Sequence, residues 1–154
     1  MAYAPIGQII FPYISKKFTE SIDIGLNTII KVIKFILIFI FIILFVLIIS
    51  REIVVNILYG SDFLALKDLI IPLGIGFLLS VLNNLLGIQT LVASGYQKQY
   101  SIGFNLSTII LVILTLLLGY LFGTYGVASA SMISEGILVL FNLYFINKLL
   151  LNHN

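Results

Sequence analysis

Fifteen apolar residues run without a break from Phe35 to Ile49, with Lys31 and Lys34 before them and Arg51 and Glu52 after. With its flanks, the stretch from Thr28 to Ser50 has 23 residues. A helix needs about 20 to cross the hydrocarbon core of a bilayer. Three further stretches have the same character: Leu69 to Ala93, Ile102 to Phe122 and Val127 to Leu149. Continuous apolar runs predict helices and not a membrane barrel, whose strands alternate apolar and polar positions. A helix also bonds its own backbone groups, which lipid requires. Met1 to Ile14 is apolar but short and ends at Phe11-Pro12-Tyr13, which predicts the end of a span whose beginning is missing. Ile53 to Leu66 is weakly amphipathic and broken at Tyr59-Gly60-Ser61-Asp62, which predicts an interfacial segment over 53–66 with a turn. The pattern as a whole predicts an all-α, polytopic helical membrane bundle. It forms one membrane domain over 1–154, with spans near 1–14 (partial), 28–50, 69–93, 102–122 and 127–149.

Composition narrows the class. The chain is 61% hydrophobic and 9% charged, against roughly 25% charged residues in a soluble domain. Seven Lys and one Arg, scattered at span ends, make no nucleic-acid patch. The absence of cysteine removes disulfides, thiolate metal sites and cysteine nucleophiles. Met1-Ala-Tyr-Ala lacks the basic region of a signal peptide. The lone His153 is terminal, and no catalytic set, phosphate-cradling loop or metal-ligand spacing occurs. The sequence therefore gives no support for an enzyme and implies no cofactor and no metal.

The charges orient the spans. If the helices alternate, Lys16, Lys17, Lys31, Lys34, Lys98 and Lys148 share one side, and only Arg51 and Lys67 take the other. The side with more basic residues is cytoplasmic, which places the C-terminus there and the loop from Tyr59 to Lys67 outside. Tyr13, Tyr96, Tyr100 and Tyr144 then lie near inner ends and Tyr59, Tyr120 and Tyr125 near outer ends, as an interfacial belt. Tyr3 does not fit. No Lys or Arg lies deep inside a span.

Polar residues inside the spans are the informative ones. Gly76, Ser80, Asn83, Asn84 and Gly87 share one helical face. They suit two roles: the wall of a polar cavity, or small and amide residues that hold helices together, which is the commoner use. Gln89 lies nearer the cytoplasmic end, where its amide reaches water. Ser131, Glu135 and Asn142 form a stripe in the last span, beside a second stripe of Gly126, Ala130 and Ser134 that makes a packing seam. Glu135 is the one acid well inside a span, so it should face the bundle interior or water. It can couple transport to protons or cations or touch cargo; equally it can be a structural group bonded to Asn105 or Asn84. Pro72, Gly74 and Gly76 suit a hinge, although proline is also well tolerated at a helix start, and that role is favoured.

The order of features resembles the C-terminal part of bacterial polysaccharide transporters, the O-antigen flippases of the multidrug/oligosaccharidyl-lipid/polysaccharide superfamily. The resemblance rests on Phe11-Pro12-Tyr13-Ile14-Ser15-Lys16 and Ile57-Leu58-Tyr59-Gly60-Ser61-Asp62-Phe63. It continues in Asn84-Leu-Leu-Gly87-Ile-Gln89-Thr-Leu-Val-Ala93-Ser-Gly95, in Phe122-Gly123-Thr-Tyr-Gly126-Val-Ala128, and in Glu135. It implies part of the second lobe of a two-lobe transporter in the bacterial inner membrane. The partners implied are the lipid bilayer, undecaprenyl-diphosphate-linked oligosaccharide and the missing N-terminal helices of the same transporter. Asn83, Asn84, Ser131, Glu135 and Asn142 are then candidates for the substrate path or for coupling, and a fragment of this kind is expected to be inactive alone. A multidrug exporter of the same superfamily would show a more apolar or acidic cavity. A non-transporting membrane subunit would need partner helices. A membrane glycosyltransferase would need acidic or His residues in an outer loop, and the segment from Arg51 to Asp68 offers little.

Overall fold

The first surprise of the fold is how far its first helix runs. A computed structural model describes residues 4–151, with side-chain surroundings from 9 to 149. Tyr3, Asn152 and His153 lie outside the described residues. Helix α1 spans Ala4–Glu20 and passes through Pro12 without ending, six residues beyond the Ile14 boundary that the sequence pattern suggests. Proline removes one backbone bond from a helix interior. Here packing outweighs that loss, because Ile14 and Phe18, four apart on one face, are both buried. Phe18 lies where a β-carbon on Gly25 would sit, so α1 packs closely and antiparallel on the next helix.

Helix α2 spans Ile22–Ile49. Ser21 caps it, its Oγ accepting from the Asp23 N–H at 3.2 Å, and Asp23 suits the positive end of the helix dipole. After Ser50 the chain turns into α3, Arg51–Tyr59, and at Gly60 it reverses into a 3-10 helix, Ser61–Leu69. The two halves are pinned antiparallel by Arg51 to Asp68 at 3.2 Å and by Lys67 to Glu52. The hydrogen bond from Lys67, and then its charge, hold the Glu52 carboxyl below its ordinary range. That contribution is whole above the ordinary carboxylate range and is lost as pH falls through the lowered value. Glu20 similarly raises the Lys17 ammonium, chiefly by hydrogen bonding.

Helix α4, Ile70–Asn83, follows the 3-10 helix directly and then widens into a π-helical stretch, Asn84–Val92. Helix α5, Gln97–Leu151, is broken at Gly123, whose φ of 59° and ψ of −137° suit glycine alone. Its arms, 97–122 and 124–151, fold back on each other. Ser107 and Ser134 each donate to the other's backbone carbonyl at 2.8 Å across the seam. At the tip, a β-carbon on Gly126 would collide with the Leu118 carbonyl. Tyr125 donates to the Ala65 carbonyl at 2.9 Å and ties this tip to the 3-10 helix.

The described residues are almost entirely helical. Three helical stretches are long and apolar enough to cross a membrane: Ile22–Ile49, Ser61–Val92 and Gln97–Leu149, the last containing both arms. The main core joins α1, α2, α4, the π-helical stretch and the end of the last arm through Ile14, Ile29, Leu44, Val81, Leu85 and Leu149. Outside it the surface is apolar, with Phe35 76% and Leu116 71% exposed. Such a surface is costly in water and ordinary in lipid.

The tight tip makes a comparison. Gly126→Ala should lower stability by roughly 1–3 kcal/mol, the usual cost of overpacking. Gly76→Ala should cost less, since its β-carbon would meet Met132 at an ordinary 3.6 Å. Thermal unfolding of the two variants in detergent reads the difference.

Candidate functional site

Gly76 on α4 faces the backbone of Met132 on the last arm, and Gly136 faces Leu79. The numbers rise together, so the two helices run parallel. Glycines on both sides bring the axes close enough for short side chains to reach across. Three polar residues then meet between them. The Asn83 Nδ2 donates to the Glu135 backbone carbonyl at 2.8 Å and to its Oε2 at 2.7 Å. The Asn83 Oδ1 accepts from Asn142 Nδ2 at 3.0 Å.

This chain of bonds has one direction. Glu135 offers Asn83 two acceptors, so the Asn83 amide nitrogen must face it. Its oxygen must therefore face Asn142, whose nitrogen then points back. Both amide orientations are dictated by the acceptor at one end. Asn83 and Asn142 are buried, while Glu135 is half-buried. The Asn142 Oδ1 is enclosed with no hydrogen-bond partner among the described residues. The arrangement can hold a carboxyl at an intermediate depth, with one oxygen fixed by an amide and the group still open on one side. That suits a side chain that exchanges a proton or meets a polar solute, and it suits a structural lock between helices.

Of the residues singled out by sequence, Asn83, Glu135 and Asn142 come together. Ser131, one turn before Glu135, and Asn84, at the start of the π-helical stretch, are half-buried and stand outside the bonded chain. Asn83 takes the partner role suggested for Asn105 or Asn84; Asn105 is exposed. Pro72, Gly74 and Gly76 lie in uninterrupted α-helix. Pro72 is its third residue, in the first turn, where the N–H that proline lacks would have no partner within the helix. Gly74 faces Leu44 and Gly76 faces Met132, so both glycines serve close packing.

Irregular backbone lies further on, in Asn84–Val92 and at Gly123. There Gly87 receives the Tyr100 ring, and Thr90 donates to the Leu85 carbonyl at 2.8 Å. Gln89 does not reach water as its position suggested; it is 1% exposed. The stretch that carries it packs against α1, α2 and α5. Sequence reasoning missed this stretch, because a π-helical turn has the same apolar content as an α-helical one. Its one available signal was the density of Asn, Gly, Gln and Thr between 83 and 90. Among the described residues no group of three or more His, Asp or Glu side chains gathers to hold a metal.

No protein-family model, curated protein or solved structure matches this chain.

Asn83→Ala should destabilise the protein by about 2 kcal/mol, since it deletes all three hydrogen bonds of the Asn83 amide and leaves the buried Asn142 nitrogen and the half-buried Glu135 carboxyl without that partner. Asn84→Ala should stay within about 0.5 kcal/mol. Unfolding in detergent distinguishes them, and a double-mutant cycle of Asn83 with Asn142 should show a coupling that Asn84 with Asn142 lacks.

Proposed function

We propose that this chain forms part of a polytopic transporter in the bacterial inner membrane that moves a lipid-linked oligosaccharide between leaflets. In this reading it supplies helices of one lobe of a two-lobe transporter of the multidrug/oligosaccharidyl-lipid/polysaccharide type, and further helices complete the cavity. The C-terminus is cytoplasmic, following the excess of basic residues on that side. The observation that carries the proposal is the bonded chain Asn142–Asn83–Glu135 between two parallel membrane helices. An acid at membrane depth is costly and tends to persist where it acts. Half-burial leaves Glu135 open to a polar path, and amides and hydroxyls without cations suit sugars. The tyrosine-glycine and Gln-Thr-Leu motifs favour the polysaccharide branch over a multidrug exporter.

The proposed role of Glu135 is to take up and release a proton as the cavity alternates between sides. Glu135→Gln keeps an acceptor for Asn83 but cannot titrate. In the complete transporter it should abolish most transport, measured as surface polysaccharide at matched protein level, while the unfolding midpoint stays near that of the unsubstituted protein. Full transport with Gln at 135 would leave Glu135 as a helix lock and remove the coupling role.

A further inference from the structure

One stripe of α2 changes character halfway along. Asp23, Asn27, Lys31 and Lys34 are exposed in its first half, and Ile38, Phe41, Phe45 and Ile49 continue the same face. Steps of three and four keep all eight positions on one side of the helix. The apolar half is 58–69% exposed, no described residue covers it, and its apolar side chains suit contact with lipid. The polar half is therefore on the lipid-facing side as well.

Depth follows from the helix rise. Lys34 to Ile49 covers about 22 Å at 1.5 Å per residue, while the hydrocarbon core is about 30 Å thick. With Ile49 at one edge, the Lys34 backbone lies some 8 Å inside the other. A lysine stem extends along the helix and carries its ammonium to the interface. Lys31 lies a turn closer to that interface. α2 begins at Ile22, so both lysines sit well within a helix and are not a flank outside it. Neither forms an ion pair among the described residues: Lys17 holds Glu20, Arg51 holds Asp68 and Lys67 holds Glu52.

We propose that Asn27, Lys31 and Lys34 form a binding stripe for the phosphate of an anionic phospholipid in the leaflet that holds the amino end of α2. Two unpaired ammonium groups at phosphate depth supply the charge, and the Asn27 amide donates to the same headgroup. The acyl chains lie along Ile38, Phe41 and Phe45. No transport step enters this proposal, so it stands or falls separately from the role of Glu135.

The chain contains no tryptophan, so Phe35→Trp places a single tryptophan, excited selectively over the tyrosines at long wavelength, beside Lys34 on an exposed position. The full chain carrying it is reconstituted in phosphatidylcholine vesicles. Quenching by brominated phosphatidylglycerol is compared with quenching by brominated phosphatidylcholine. The anionic lipid should be preferred by roughly fivefold per lysine. Lys31→Gln with Lys34→Gln should bring the ratio close to one, and the corresponding double Arg variant should keep it. Lys67→Gln, at the other end and already paired, should leave the ratio unchanged. A ratio near one in the parent, an unchanged preference in the double Gln variant, or no quenching by either lipid would overturn the proposal.

Discussion

In hydrocarbon a polar side chain has no water to fall back on, and helices long and apolar enough to cross a membrane come under that constraint. The apolar majority of the chain gains little by packing helix against helix in lipid, since lipid tails are as apolar as leucine. What remains to select one arrangement is close contact and the satisfaction of polar groups. The chain Asn142–Asn83–Glu135 supplies the second and depends on the first. An asparagine side chain is short, so the bonds form only where the two backbones lie close. Gly76 against Met132 and Gly136 against Leu79 provide that approach.

The same economy recurs in the α5 hairpin. Two serines, one on each arm, bond reciprocally to carbonyls across the seam. Gly103 and Gly126 open the space for the partner arm above and below them. The end that holds α3 is fastened differently, by ion pairs and a tyrosine hydroxyl among α3, the 3-10 helix and the hairpin tip. These exposed links are screened by water and individually weak. The contacts of Asn83, Asn142, Ser107 and Ser134 are buried and shielded from competing solvent. The fold thus has a polar lock at depth and a looser fastening at its end.

Helices and their apolar character were legible because long apolar runs leave the backbone no other solution in lipid. Glu135 drew notice as an acid among apolar neighbours, and Asn142 through its spacing from Glu135. Other features were not legible. The continuation of α1 past Pro12 depends on Phe18 finding Gly25, a tertiary contact that outweighs a local helix breaker. The π-helical backbone and the burial of Gln89 occur where this stretch packs against α1, α2 and α5, contacts that a one-dimensional pattern does not contain. The break at Gly123 was visible as a glycine-rich junction, whereas its backbone angles were not. Which asparagine would meet Glu135 turned on register between two helices, and neighbouring Asn83 and Asn84 differ there by about 100° around the helix axis.

That register is the foundation of the account, and it can be measured without reference to transport. A β-carbon on Gly76 lies 3.9 Å from the Met132 Cβ, inside the range a disulfide requires. The chain has no cysteine of its own. A Gly76→Cys, Met132→Cys variant in membranes should close a disulfide rapidly under mild oxidation, seen as loss of labelling by a maleimide. A Phe35→Cys, Met132→Cys variant, with Phe35 exposed on α2, should stay labelled. Closure of the first pair and not the second is the predicted result. If the first pair stays labelled under conditions that oxidise neighbouring registers, α4 and the last arm do not meet as described, and the Asn83–Glu135 lock does not exist.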